Sequence, residues 1–484
     1  MSTMQGQVSW PDRLDRLATA GLVASVLVVP ITKSVVLPIV GERLTLFEFV
    51  ALPTILLWVL ARTLSRSWST VALTPALDIP LAGFWLVALL SGTNAYRMLG
   101  PMVTVTLVTE VGVLTYLLLL FLAARDLLTR GPAFSWLLHG WALAAVVVGV
   151  VGLVGVAEMV RCVRPFSTLL YSGGRMLSTF RNPNQLAAYM VPTSLVLVGL
   201  VASRTSRGLH RLAVPAAALS VAMLYFSASR GAAVAAVAGF ALLAVMERSV
   251  AMAKTLASTA LLVGVLIAMS FGLEARGNRC FRYLSGNMLA MTVRLSDSVR
   301  EAGKMVQADR NRGVTPAPAA SSRGPAAAPA VVIPLGSDAA TSLAFRSVMA
   351  RVALDYARAH PFIGIGHGTM HVHVMKLTNS TADVDAHNMT MTVLAETGFL
   401  GVGLFAWAIG WCAWSAFAHL SRAARTDPAR ALRAGMLVAL LAFLVMTLSF
   451  DGQRQRVLWL LLAAIYASTR PGLLDAALTQ DGRD

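Results

Sequence analysis

Apolar runs of about the length that crosses a bilayer recur along this chain, and nothing constrains its fold more. A helix needs ~20 mostly apolar residues to span the hydrocarbon core. Candidate spans fall at 17–37, 46–64, 77–95, 102–124, 134–157, 185–203, 211–228, 231–247, 254–273, 395–419, 431–450 and 455–470. No soluble chain of 484 residues could bury a composition that is 57% hydrophobic and 13% charged. The expectation is an all-α polytopic membrane protein with about twelve transmembrane helices. The first run lacks a small-residue cleavage site and is followed by further spans, so it reads as an anchor rather than a signal peptide.

The formal charge of +17 is spread among loops, not gathered into a stripe, so a nucleic-acid partner is not expected. Basic links at 202–211, at Arg248 and Lys254, and at 421–433 fall on one side if both termini do. The positive-inside rule makes that side cytoplasmic, with a cytoplasmic tail at 471–484. One connection breaks the short spacing. Residues 274–386, between spans nine and ten, would form a large periplasmic loop. It carries thirteen Lys and Arg against eight Asp and Glu. Within it, 311–340 is rich in Ala, Pro, Gly and Ser and reads as a flexible insertion. Residues 341–360 place Leu343, Val348, Val352, Leu354 and Tyr356 among charges and end at Pro361, the pattern of an external helix at the membrane. The domain reading is therefore spans one to nine in 1–273, the loop, spans ten to twelve in 387–470, and the tail.

Several cationic side chains stand at the expected outer boundary. Arg230, in "YFSASRGAAV", has apolar runs on both sides. Arg175 and Arg181 lie in the loop after span five, which has no acid. Ionisable groups at this depth are costly, which makes function the first hypothesis, with snorkelling to lipid phosphate as the alternative. A guanidinium fork matches phosphate oxygens and keeps its charge, so a lipid-borne phosphate or diphosphate is the fitting ligand. His387, in "VDAHNMT" at the mouth of span ten, titrates near neutrality and could take a proton from an attacking hydroxyl.

Other features have plainer readings beside the functional ones. In "NPN" (182–184), Asn184 could bind substrate or cap span six. His367, His371 and His373 could suggest a metal, but alternation on a solvated strand is the simpler reading, and no metal site is expected. Glu396 could orient the helix or cap it beside Gly398. Glu110, within span four, needs a partner. Asp451 to Arg456 could complete a donor site or anchor an interface. Cys162 and Cys280 fall on the same side, where a bridge could form, and Cys412 reads as a small buried hydrophobe.

Three ordered blocks resemble the O-antigen ligase and polymerase superfamily of membrane glycosyltransferases, also called Wzy/WaaL-type. They are "GGRMLSTFRNPNQLAAYM" (173–190), "SASRGAAVAAVAGFALL" (227–243), and "FRSVMARVALDYARAHPFIGIGHG" (345–368) followed by "AHNMTMTVLAETGFLG" (386–401). In the last, Arg346 precedes Pro361 by fifteen residues, as in the family. The chain departs from the family at Ser178, where a glycine is usual, at Ala350, often a tryptophan, and in the Ala/Pro-rich insertion.

The resemblance implies a metal-independent, inverting transferase of the bacterial inner membrane with its active site facing the periplasm and no cofactor. The donor would be an undecaprenyl-diphosphate-linked glycan. The acceptor would be another glycan, in a polymerase of surface polysaccharide or exopolysaccharide, or lipid A-core, in a ligase. "NPNQLA" is similar to exopolysaccharide members and inclines the reading to a polymerase, with polysaccharide export machinery as a further partner. Arg230, Arg346 and His387 would be catalytic, and Arg175, Arg181, Asn184, Asn388 and Glu396 would bind substrate. A transporter or flippase is the further alternative, for which midplane helix breaks and paired repeats would be expected.

Overall fold

The computed structural model describes residues 9–32, 45–71, 73–130, 132–162, 171–172, 174–203, 205–278, 280–281, 339–378, 388–450, 452–470 and 472–479. In chain order the helices are α1 (Trp10–Val28), α2 (Leu46–Leu64), α3 (Pro75–Leu99), α4 (Thr104–Leu128), α5 (Ala133–Arg161), α6 (Pro183–Ala202), α7 (Arg207–Phe226), α8 (Arg230–Met246), α9 (Val250–Ala275), α10 (Ala339–Ala359), α11 (Met370–Thr378), α12 (Met389–Arg422), α13 (Arg430–Thr447), α14 (Arg456–Ser468) and α15 (Leu473–Thr479). The strands β1 (Tyr171–Ser172) and β2 (Arg175–Met176) make one antiparallel hairpin before α6. The protein is all-α and polytopic. Among the described residues, nine helices are long and apolar enough to cross a membrane, and α8 and α14 are shorter apolar helices.

Local chemistry sets the helix starts. Ser9 caps α1 by accepting from the Asp12 N–H, with Pro11 in the first turn. Thr45 and Glu48 form a reciprocal capping box on α2. Asn182, Ser249 and Asn388 cap α6, α9 and α12. Where the apolar run predicts a span at 17–37, the structure has α1, which begins at Trp10, ends at Val28 and is not among the nine helices long and apolar enough to cross a membrane, and residues 33–44 lie outside the described residues. The early start keeps Asp15 inside the helix, where it meets Arg62 of α2 and Arg130 just after α4.

Small residues let the central helices approach. A Cβ on Gly199 of α6 would lie 2.6 Å from the Ala431 carbonyl oxygen, and one on Gly435 of α13 would lie 2.8 Å from the Leu195 carbonyl oxygen. Backbone packs on backbone there, as polar-free membrane interfaces favour. α6, α13 and α14 are buried over most of their length, while α9 exposes most of its surface.

Several buried charges inside the bundle are paired, though the Glu158 carboxylate near the end of α5 has no hydrogen-bond partner among the described residues. At the end where α1 begins, Arg62 is buried and donates Nη2 to Asp15 Oδ1 at 2.5 Å and Nε to Asp126 Oδ2 at 2.8 Å. Trp58 Nε1 also donates to Asp126 Oδ2, at 2.9 Å. Arg130 bonds Asp126 Oδ1 at 2.7 Å. Arg125 pairs with Asp78 at 2.6 Å and lies over the Phe121 and Tyr466 rings. At the other end, where α12 begins, the disulfide Cys162–Cys280 ties the end of α5 to the chain after α9. Cys412 is free and buried.

Asp126→Ala is expected to cost about 3 kcal/mol, because it removes the buried carboxylate that Arg62, Trp58 and Arg130 share and leaves Arg62 with Asp15 alone. Thermal unfolding of the detergent-solubilised protein would show it as a large drop in melting temperature, with little change for the exposed Asp355→Ala.

Candidate active site

The end of the bundle where α12 begins gathers four short segments. The first is the hairpin with the start of α6. Arg175, on β2, donates Nε to the Ser227 carbonyl at 3.0 Å and Nη2 to Asn184 Oδ1 at 2.7 Å. One side chain thus ties the "GGRMLSTFRNPN" block to the "SASRG" block. The α6 cap is Asn182, whose Oδ1 accepts from the Asn184 N–H at 2.7 Å. Asn184, read as a substrate-binding residue or a cap, is not the cap and presents its side-chain oxygen to Arg175. Ser178 has φ +50°, a left-handed conformation that glycine adopts without strain. Its hydroxyl donates to the Val148 carbonyl at 2.8 Å, which helps to hold that conformation. The unusual residue keeps the turn. Arg181 is exposed at the rim, its N–H held by Thr32 Oγ1 at 3.2 Å.

The second segment is the turn from Ser227 to Ser229, with Ala228 at φ +49°, which reverses the chain and makes Arg230 the first residue of α8. Arg230 is half-buried. Its neighbour Gly231 has no room for a side chain, since a Cβ would sit 2.3 Å from Ser449 Oγ. Ser449 belongs to the third segment, the turn between α13 and α14. In the same turn, Gly452 lies against Met389, at the start of α12. The turn therefore spans from Arg230 to Asn388, whose Oδ1 accepts from the Met391 N–H at 3.1 Å. His387 precedes Asn388 in sequence and lies outside the described residues.

The fourth segment is α10. Its buried stripe is Met349, Ala353 and Ala357, four residues apart, packed with Ile365, Met370, Val374 and Ala395. The helix rests on protein along this face. Arg346 stands one turn before Met349, so it continues the stripe toward Arg230. Burial, and then the nearby Arg230 guanidinium, hold the Arg346 pKa below its ordinary value.

Two buried acids near this end, Glu110 and Glu48, are held by other cations. Glu110 Oε2 lies 3.0 Å from Arg454 Nε. Glu48 accepts from Tyr116 Oη at 2.8 Å and from Arg456 Nε at 2.8 Å. The turn carrying Arg454 and Arg456 is thus an anchor between α4, α2 and α14. Among the described residues, neither Arg230 nor Arg346 has a carboxylate partner. Two guanidinium groups brought close, with no acid between them among the described residues, suit an anion of more than one charge.

Beneath these residues α12 is broken at Gly398, which has φ +66°. The "PFIGIGHG" turn fills the break. Ile365 and Gly366 donate N–H to the Ala395 and Glu396 carbonyls at 2.9 and 3.0 Å. Phe399 and Leu400 donate to the Pro361 and Phe362 carbonyls at 2.7 and 3.4 Å. A Cβ on Gly364 would lie 2.3 Å from the Glu396 carbonyl carbon, and one on Gly398 2.5 Å from that of Phe362. The glycines of "P-x-x-G-x-G" and "E-T-G" are two halves of one clamp. Because protein backbone occupies the break, the freed groups are not offered to an ion as in a transporter helix break. α3 supports the clamp: Asn94 Nδ2 donates to the Gly364 carbonyl at 2.8 Å, and Ser91 Oγ accepts from the His367 N–H at 2.9 Å.

Glu396 is buried inside this clamp. Its Oε1 accepts from the Met370 N–H at 3.2 Å, and its Oε2 lies 3.5 Å from His367 Nδ1. "HGTMHVH" is not a solvated strand. It is a buried turn entering α11, because the clamp pulls it into the interior, and His367, His371 and His373 are all buried. Among the described residues no cluster of His, Cys, Asp and Glu could hold a metal ion. Burial, with the Arg454 charge adding to it, pushes His367 down to about 3. Burial likewise lowers His373 to about 4. Both rings are neutral at physiological pH.

Residues 215–406 match the family model described as O-antigen ligase. This stretch is similar to that family's domain. The match supports the O-antigen ligase and polymerase superfamily, a family of glycosyl-transfer enzymes, for this membrane chain. It runs from α7 into α12, so it contains Arg230, Arg346, His387, Asn388, Glu396 and the clamp, while Arg175, Arg181 and Asn184 precede it. No curated protein matches the chain. Sequence reasoning missed Ser91, Asn94 and the Arg454–Glu110 pair as supports. Their signal was a polar side chain inside an apolar span, which Glu110 shows most plainly.

Two outcomes are expected. Gly398→Ala forces a left-handed alanine against the Phe362 backbone and is expected to destabilise by about 2 kcal/mol or more, read as a lower melting temperature. Free imidazole takes a proton near 6.5, whereas His367 in the fold does so only near 3. Between those values the unfolded chain binds more protons, so stability falls as pH drops from 6.5 toward 4. Melting temperatures measured across that range are expected to decline, less steeply for His367→Gln.

Proposed function

We propose that the protein moves a glycan from an undecaprenyl-diphosphate carrier to an acceptor sugar hydroxyl at the periplasmic face of the bacterial inner membrane. The observation that carries this reading is the pairing of Arg230 with Arg346 without an acidic partner among the described residues, inside the stretch that matches the O-antigen ligase family. A diphosphate on a lipid tail brings the charge this pair would take, at the depth where it lies. Two further facts support the orientation. The Cys162–Cys280 disulfide is at the same end, and disulfides persist on the oxidising side of a membrane. The basic links at 202–211, 247–254 and 421–433 are at the other end.

In this reading Arg230 and Arg346 hold the diphosphate, and Arg175, Asn184, Arg181 and Asn388 guide the donor or acceptor around it. The acceptor hydroxyl attacks the anomeric carbon from the face opposite the diphosphate, which inverts the centre. The carbon–oxygen bond to phosphate breaks, and undecaprenyl diphosphate leaves with the electron pair. The hydroxyl proton passes to His387. Charge grows on the leaving oxygens, and the guanidinium groups stabilise it, so the step needs no metal ion. Glu396 acts from below by holding the clamp that sets the start of α12.

Polymerisation of a surface polysaccharide or exopolysaccharide is the preferred reaction, on the "NPNQLA" turn held by Arg175. Ligation to lipid A-core is the second reading, favoured by the description of the matching family.

Arg230→Ala, Arg346→Ala and His387→Ala are each expected to reach the membrane at wild-type level and to lower glycan product about 100-fold or more. Undiminished product in all three variants would overturn the assignment. In a deletion strain, accumulation of single lipid-linked repeat units identifies a polymerase. Lipid-linked polymer beside uncapped core identifies a ligase.

A further inference from the structure

The end of the bundle away from Arg230 holds a cavity of about 380 Å³, between the link that joins α8 to α9 and the link that joins α12 to α13. This is within the range that small ligands occupy. Three arginines line it, Arg248, Arg425 and Arg430, against one carboxylate, Glu247. The acid is used. Glu247 Oε2 lies 3.1 Å from Arg430 Nε, and Arg430 Nη1 also donates to the Leu420 and Ala423 carbonyls at 2.7 and 2.8 Å. The other acid of the second link, Asp427, is bound by Arg433. Arg248 and Arg425 are therefore left facing one cavity with no carboxylate partner among the described residues. Among the described residues the Arg248 side chain donates Nε to the Val245 carbonyl at 3.3 Å and no other hydrogen bond, which leaves its terminal nitrogens for a ligand. The first turn of α9 opens beside them, capped by Ser249, and adds the positive end of a helix.

The flank of this cavity is apolar. Val245 lines it, Val250 follows at the start of α9, and both are exposed. In a membrane chain those side chains face acyl groups. A phosphate against the two guanidinium groups with hydrocarbon beside it is the layout of a phospholipid, not of a free anion. We propose that this cavity binds the phosphate headgroup of an anionic membrane lipid, with Arg248 and Arg425 as its ligands. Basic pockets between helix ends bind such headgroups by the same charge pairing. The site lies at the opposite end from the glycan site and does not depend on the reaction assigned there.

The test is native mass spectrometry of the full-length protein in a neutral detergent, titrated with phosphatidylglycerol or with phosphatidylcholine of the same chains. The wild-type protein is expected to retain phosphatidylglycerol at least fivefold better. Arg248→Gln and Arg425→Gln are each expected to weaken it about fivefold, and the pair about 25-fold, with unchanged melting temperature. Arg422→Gln, exposed at the same end but not lining the cavity, is expected to leave retention as it was. Equal retention of the two lipids, or an equal loss in Arg422→Gln, would overturn the site. Displacement of phosphatidylglycerol by millimolar inorganic phosphate alone would overturn its assignment to a lipid.

Discussion

Uncompensated charge in an apolar interior is the constraint from which this structure follows. Hydrocarbon offers no water to a stranded guanidinium or carboxylate, so each one needs a partner or a task. Arg62, Arg125, Arg454 and Arg456 have partners in Asp15 and Asp126, Asp78, Glu110 and Glu48. These pairs join α1, α2, α3, α4 and the segment leading into α14 at fixed points. Where so many buried cations are matched, two that are brought together without an acid among the described residues stand apart. Arg230 and Arg346 are informative because their neighbours are neutralised.

The same economy governs the backbone. A helix broken inside a bundle frees carbonyls and N–H groups that must be bound again. The break at Gly398 is answered by the turn from Pro361 to Gly368, which supplies two donors and two acceptors. Gly364 and Gly398 are needed because backbone meets backbone there, Gly366 because the Ala95 side chain fills the space, and Gly368 because Glu110 does. The arrangement fixes the start of α12, and with it Asn388, relative to α10 and Arg346. Positioning of the site and satisfaction of the broken helix are therefore one structural event.

Much of this was legible in the residues. The apolar runs located the helices, because burial in lipid demands length and composition and little else. Arg230 was legible because a cation between two apolar runs is conspicuous. Arg346, Pro361 and the "E-T-G" segment were legible only as an ordered pattern, whose meaning as a clamp needs coordinates. The first helix was misplaced because Asp12, Arg13, Asp15 and Arg16 make its start look like a loop. Nothing local reveals that Asp15 will find Arg62 and Arg130. The histidines of "HGTMHVH" alternate as a strand would, and only the pull of the clamp into the interior decides otherwise.

The sequence by itself determined the solvent, the helical class, the approximate places of the helices and which side chains were too costly to be idle. Tertiary structure decided which cations were neutralised and which were not, that Cys162 meets Cys280, and that Arg175 joins the hairpin to the turn before Arg230. The physical reason is range. Hydropathy acts residue by residue along the chain, whereas ion pairing and backbone satisfaction depend on groups hundreds of positions apart, which only folding brings within a few ångströms.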